Sequence, residues 1–271
     1  MRAYRLAYDG TDFYGFQRQP DVPTVEDTLF DALAAHGVPL DGGPAANRPP
    51  GYTAAGRTDA GVSAVAQTVA FEAPDWLTPA ALNAELPASV RAWASAAVED
   101  DFHATVGATR REYVYHRYAP EVADDRAEAA LEHLAGEHDF ANLTPDEDGT
   151  VRTLVTGLER DGPFLEIHVE AGGFPRHLVR RLVTLVDDVA HDRVPLERVD
   201  RLLDPTPVDG KQGVGPAPAA GLVLRRVDYD GVSFAIDEDA RESARVVFDE
   251  RQRKRATATR VAGALRDGLD E

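Results

Sequence analysis

Cysteine is absent from the 271 residues, which excludes a disulfide framework, a thiolate metal site and a thiol nucleophile, and makes the cytoplasm the expected compartment. Long apolar runs are absent too: nothing approaches the roughly 18 residues that a membrane span needs, so no membrane association is expected. The opening run Met1-Arg2-Ala3-Tyr4-Arg5-Leu6-Ala7-Tyr8-Asp9 alternates in character and has neither the apolar core nor the small-residue cleavage site of a secretory signal, so it reads as a first strand. No Walker loop, strand-placed Gly-x-Gly-x-x-Gly, His-Glu-x-x-His or Gly-x-Ser-x-Gly is present, which removes the usual support for ATP, NAD, zinc-protease and serine-hydrolase chemistry. The eight histidines are scattered, and the nearest pair, His133 and His138, lacks the spacing of three or four that shares a helical face, so no metal is expected. Lysine is reduced to Lys211 and Lys254, so nearly every cation is a guanidinium.

What the chain has in excess is carboxylate. Asp plus Glu number 47 against 29 Lys plus Arg, a formal charge of −18. This pattern resembles that of a halophile protein, and most of the acidity serves solubility. A negative field would repel nucleic acid at low ionic strength, but at molar salt the screening length is only about 3 Å, so local arginine clusters matter more than net charge.

Along the first half, periodicity and turn signals predict a strand near 2–9, a helix over 24–36, strands near 51–56 and 65–72, a helix near 79–86 and a strand near 90–98. Thr24 with Asp27 forms a capping box with Asp in place of Glu, and Thr78-Pro79 supplies a cap and a first-turn proline. From Thr105 the order restarts: a long strand through Arg111-Glu112-Tyr113-Val114-Tyr115, a helix near 124–136, strands near 151–159 and 163–171, helices at 175–191 and 195–204, and a strand at 222–229. Two β-α-β-β-α-β rounds predict an α+β fold of two similar ferredoxin-like halves, residues 1–104 and 105–230, whose antiparallel sheets join. Residues 205–220 are Pro/Gly-rich and read as a loop. An extension, 231–271, holds a short strand and a charged helix with the run Arg251-Gln252-Arg253-Lys254-Arg255, read first as a solvated face and second as an RNA contact.

Between two of the predicted strands lies Gly56-Arg57-Thr58-Asp59-Ala60-Gly61-Val62, a glycine-bracketed loop that can hold a side chain out. An arginine two residues from an aspartate can ion-pair with it and keep it ionised. Local physics alone also fits an ordinary polar turn with an Arg–Asp bridge.

This segment resembles the signature of the TruA-type tRNA pseudouridine synthases, and further segments match that family in the same order. They include Tyr8-Asp9-Gly10, Tyr14-Gly15-Phe16-Gln17-Arg18-Gln19, Asn83-Ala84-Glu85-Leu86-Pro87 and Asp101-Phe102-His103-Ala104. Ala108-Thr109-Arg110-Arg111-Glu112-Tyr113-Val114-Tyr115, Gly136-Glu137-His138-Asp139-Phe140, Phe174-Pro175-Arg176-His177-Leu178-Val179-Arg180 and Gly221-Leu222-Val223-Leu224 continue the match to about residue 229. The family's fold, two similar α+β halves about a central antiparallel sheet, agrees with the duplicated order. The resemblance implies that Asp59 is the essential aspartate and that Arg57 is its ion-pair partner and fills the space of a flipped base. It makes Tyr113 the aromatic neighbour of the bound uracil and places Arg180 and Leu222 on the pocket wall. Read without the family, these last three are a strand aromatic, a helix-surface cation and a buried leucine. Many family members carry histidine where this chain has Ser63, so a role assigned to that histidine does not transfer.

The implied reaction breaks the N-glycosidic bond of a uridine, turns the uracil and rejoins C1′ through C5. It needs no redox change or energy input, so no cofactor is expected. The resemblance further implies tRNA as partner, with modification at positions 38, 39 and 40 of the anticodon stem-loop, a homodimer, and a halophilic archaeal source. Backbone contacts to the RNA are expected from Arg110-Arg111, Arg176-Arg180-Arg181 and Arg225-Arg226. Two other classes of function fit the sequence less well. A noncatalytic RNA-binding module of ferredoxin-like repeats would not need Arg57, Asp59 and Tyr113 together. A hydrolase on paired carboxylates would need a second acid near Asp59, and no local one offers itself.

Overall fold

The computed structural model describes residues 1–41, 47–208 and 213–269. The first round runs β1 (Arg2–Tyr8), α1 (Val25–Ala35), β2 (Thr53–Ala54), β3 (Ser63–Phe71), α2 (Pro79–Asn83) and β4 (Val90–Ala97). The second runs β5 (Ala108–Tyr118), α3 (Asp124–Leu134), β6 (Gly136–Asp139), β7 (Val151–Asp161), β8 (Phe164–Ala171), α4 (Leu178–Ala190), α5 (Glu197–Leu203) and β9 (Leu222–Tyr229). Then follow β10 (Ala235–Ile236) and α6 (Glu238–Asp267). The fold is α+β with one large central sheet, as the element order predicts. Residues 209–212 of the Pro/Gly-rich loop, with Lys211, lie outside the described residues.

Local signals explain most boundaries. Asp27 N–H donates to Thr24 Oγ1 at 3.2 Å while the Thr24 hydroxyl donates to Asp27 Oδ2 at 2.6 Å, closing the cap of α1. Thr78 caps α2 with Pro79 in its first turn. On β8 the alternation is clean, with Leu165, Ile167, Val169 and Ala171 inside and Glu166, His168 and Glu170 outward. α4 buries Leu178, Val179, Leu182, Val183, Leu185, Val186 and Val189, a helical stripe facing the sheet. β6 has no apolar residue in Gly-Glu-His-Asp and so gives no strand signal; it forms by edge pairing to β7. The second round thus carries one strand and one helix more than the first.

Strand order is β10-β4-β1-β3-β9-β5-β8-β7-β6, with β2 also on β3. The halves meet at a seam that is parallel, Ser63 opposite Val223 and Ala64 opposite Leu224, whereas the other pairings among the described residues are antiparallel. On that same edge of β3, β2 pairs further along, at Val69 and Ala70. The 55–62 connection leaves β2 and re-enters β3 beside β9, which places it at the seam.

The seam also interleaves the two hydrophobic cores. Leu224, Val227 and Tyr229 of β9 pack in the first-half core with Tyr4, Leu29 and Phe71, while Val62 from the first half packs in the other with Leu165 and Leu182. Tyr113 packs against both.

Candidate active site

The 56–62 loop is held at several points. Thr58 is buried, its Oγ1 2.7 Å from the Tyr8 hydroxyl, and its carbonyl accepts the Phe16 N–H at 3.0 Å. Gly61 N–H donates to Phe13 O at 3.2 Å and Val62 N–H to Asp59 O at 3.1 Å, closing a turn around residue 60. Gly61 sits at φ +83°, a left-handed conformation that explains the glycine. Ser63, the departure from the family pattern, accepts Gly10 N–H on its hydroxyl at 3.0 Å.

These anchors turn Thr58 inward and present Asp59, whose side chain is 31% exposed, toward α4. There Arg180 NH1 donates to Asp59 Oδ2 at 2.9 Å, and His177 Nε2 lies 3.6 Å from the same oxygen. Arg180 Nε is fixed on the Ala217 carbonyl at 2.7 Å, and the Ala217 N–H returns to Arg180 O at 2.9 Å. The expected partner, Arg57, does not fill this role. It is exposed on the lip, with no hydrogen bond or ion pair to a described residue. Because Thr58 between them is pinned inward, sequence proximity does not bring the two charges together.

Asp59, Arg57, Tyr113, Arg180 and Leu222 line one cleft of about 930 Å³. Tyr113 stands on β5 with its ring edge-on to Phe174, centroids 5.3 Å apart at 82°. Burial pushes its hydroxyl up to about 12, Arg111 opposing and Asp59 adding to the shift, so the phenol stays neutral. Leu222 opens β9 and is buried. The same wall carries Arg18, Arg48, Arg111, Arg152 and Arg176 against the carboxylates of Glu26 and Asp59, so this cleft is cationic within an acidic protein.

Several arginines serve the fold rather than a ligand. Arg111 is buried and donates to the carbonyls of Ala55 and Thr105, at 2.8 and 2.7 Å, and of Gly172, bracing the seam. Arg110 pairs with Glu170, so of the Arg110-Arg111 pair one guanidinium is held by a carboxylate and the other by backbone carbonyls. Arg176 is 69% exposed but bound to Asp146, and Arg226 to Asp228. Arg251 and Arg255, read from sequence as a solvated face, both reach the carboxylate of Asp9.

Among the described residues, the metal-ligand spacing that does occur is Glu159, Glu166 and His168 on β7 and β8, outside the cleft. His116 pairs with Glu166 and Glu112 with His168, so two of the three already hold side-chain partners. Among the described residues, no helix is long and apolar enough to cross a membrane.

The family model for tRNA pseudouridine synthase matches residues 130–230. Three relatives, each named tRNA pseudouridine synthase A, match nearly end to end. Identity is 58% over 267 residues in Natronomonas pharaonis, covering 98% of each chain. It is 54% over 278 residues in Haloarcula marismortui, covering 99% of this chain and 100% of that one, and 53% over 266 residues in Halobacterium salinarum, covering 97% and 98%. The chain belongs to the tRNA pseudouridine synthase A family. It is an isomerase, and the halophilic hosts of these relatives agree with its acidic composition. Among solved structures, the archaeal box H/ACA sRNP Nop10-Cbf5 complex aligns over 67% of this chain and 44% of that chain, at 16% identity and a TM-score of 0.34.

In this synthase, sequence reasoning missed His177, Phe174 and the bracing role of Arg111. His177 precedes α4 with φ +60°, which delays the helix from the expected residue 175 to Leu178. Its place in the family-like Phe-Pro-Arg-His-Leu-Val-Arg run was the available signal. Nothing in the sequence marked Arg111 as buried.

Proposed function

We propose that the chain converts uridine to pseudouridine at positions 38, 39 and 40 in the anticodon stem-loop of tRNA, with Asp59 as the essential carboxylate. The observation that carries this reading is the Asp59 carboxylate held by Arg180 in a cationic cleft, with Tyr113 and Leu222 on the wall around it. The reaction breaks N1–C1′, forms C5–C1′, moves a proton from C5 and leaves N1 protonated. Three steps are chemically open to Asp59: attack at C1′, addition to C6, or removal of the 2′ proton. Each needs a carboxylate in a site that limits water.

A stacked uridine must be extruded, at a cost of a few kcal/mol. Stacking on Tyr113 offsets part of this, and Arg57, exposed on the lip and without a partner among the described residues, is suited to take the vacated place. In this reading residues 1–104 carry the aspartate loop, 105–230 close the pocket, and 231–271 are an extension. The enzyme works in the cytoplasm as a homodimer with one tRNA spanning both subunits. A module that only binds RNA has no use for a carboxylate among cleft arginines, since it repels phosphate.

The test is Asp59→Asn on unmodified tRNA transcript in molar KCl, with pseudouridine mapped by position. Folding and tRNA affinity are expected to persist with no product. Product formed within about tenfold of the wild-type rate overturns the assignment.

A further inference from the structure

Asp9 follows β1 directly and is buried, 5% exposed, although it is charged. Its neighbours on both sides hold the aspartate loop. Tyr8 OH meets Thr58 Oγ1, just before Asp59. Gly10 N–H donates to Ser63 Oγ, just after the loop, and a Cβ on Gly10 would stand 2.0 Å from the Val62 carbonyl oxygen. Residues 8–10 therefore grip both ends of the segment that presents Asp59. A shift of Asp9 is passed to that segment through these two hydrogen bonds and the close packing of Gly10 on the Val62 carbonyl.

Asp9 is itself held from the C-terminal extension. Its Oδ1 accepts Thr11 N–H at 3.2 Å and the Thr11 hydroxyl at 2.7 Å. Its Oδ2 accepts Arg251 NH1 and Arg255 NH2, each at 2.6 Å, and Arg255 also reaches Thr11 Oγ1 at 3.0 Å. The two arginines lie one helical turn apart on α6 and so share a face. Of the 30 residues of α6, the buried ones are Ala240 and Ala244, near its start. Past that point the helix has little apolar anchorage, and the two guanidiniums on Asp9 supply its polar attachment to the body.

We propose that Asp9 is a positioning residue, clamped by Arg251 and Arg255 so that α6 holds the 8–10 segment and, through it, the loop that presents Asp59. The extension is then part of turnover and not a separate handle for RNA. This rests on Asp59 being the essential carboxylate. Charge-assisted bonds to one buried carboxylate suit this use because they are short and directional.

The test uses the full chain with tRNA transcript in molar KCl, and compares the double variant R251Q/R255Q with R253Q/K254Q, which removes the same charge from the same helix without touching Asp9. Single-turnover rate, tRNA affinity and melting temperature are measured for each. The clamp variant is expected to lose at least about tenfold in rate with affinity changed by less than about threefold, while R253Q/K254Q keeps the wild-type rate. R251K/R255K, which keeps the charges on Asp9, is expected to recover most of the rate. R255Q alone, at a more exposed arginine, gives a smaller loss of the same kind should the double variant fold poorly.

A clamp variant with wild-type rate overturns the proposal, as does a loss confined to affinity, which would make α6 an RNA contact. A fall in melting temperature with an unchanged rate below it also overturns it. Failure of the underlying reading is separately visible, because Asp59→Asn would then remain active.

Discussion

Asp59 and Arg180 are 121 residues apart in the chain and 2.9 Å apart in space, on opposite sides of the seam. Arg180 is only 15% exposed and divides its guanidinium between the carboxylate and the Ala217 carbonyl. Removing it leaves a cleft carboxylate without its counter-charge and frees Asp59 to rotate. Arg180→Gln is expected to lower single-turnover pseudouridine formation by about a hundredfold or more, with Arg180→Lys losing less because a point charge replaces the fork. Equal rates for wild type and Arg180→Gln would show that the pair is incidental.

His177 separates stability from activity. Its φ of +60° strains a residue with a Cβ, and its ring lies 3.6 Å from Asp59. His177→Gly relieves the strain and is expected to match or exceed wild-type stability, by up to about 1 kcal/mol, while His177→Val loses on the order of 1–2 kcal/mol. If the ring also orients Asp59, His177→Gly turns over more slowly despite its stability. Thermal unfolding and turnover on the same samples decide this. A glycine variant less stable than the valine one would contradict the backbone argument.

Arg57 and Arg111 both line the cleft but should fail in different ways. Arg57 is exposed and without a partner among the described residues, so Arg57→Ala is expected to leave stability within about 0.5 kcal/mol of wild type and to weaken the processing of stacked uridine. Arg111 braces three backbone carbonyls in a buried position, and Arg111→Ala is expected to cost about 3 kcal/mol of stability. Denaturation midpoints beside turnover on a duplexed and an unpaired uridine substrate check both. A selective defect on the duplexed substrate supports Arg57, and an equal defect on both opposes it.

Acid should release the clamp on Asp9. Burial alone would raise its pKa, but the hydrogen bonds from Thr11, Arg255 and Arg251 outweigh that and bring it down from 3.8 to about 2. Because the folded value is depressed, the contribution is complete above the ordinary value and is lost as pH falls through about 2. At neutral pH it amounts to at most about 2 kcal/mol, an upper figure because Arg255 is 60% exposed. The stability gap between wild type and Asp9→Asn, followed by denaturation in constant salt, should therefore narrow between about pH 4 and pH 2. A gap independent of pH in that range would exclude the ionised clamp.

What could be read from the sequence was whatever local chemistry determines. Thr24 announces α1, the alternation from Leu165 to Ala171 announces β8, and the stripe of α4 is visible in its leucines and valines. The aspartate loop stood out by its bracketing glycines, but local chemistry fits an ordinary polar turn as well, and it was the resemblance to the family that singled out Asp59. The partner of Asp59 was misread because proximity in the chain stood in for proximity in space, while the pinning of Thr58 by Tyr8 can be seen only in the fold. β6 was illegible for want of apolar residues. Arg251 and Arg255 looked solvated because a helix surface does not disclose a carboxylate more than 240 residues away.

The parallel junction of β3 with β9 bears on biosynthesis. On a ribosome the 56–62 loop emerges early, yet its counter-charge waits for Arg180, and its flanking strand waits for Leu222 to Leu224. Until those residues are made, Val62 lacks the core it packs in and Asp59 lacks its counter-charge. A nascent or prematurely terminated chain therefore carries the aspartate without its pocket, and on the proposed function uridine isomerisation begins only when the two halves have closed on each other.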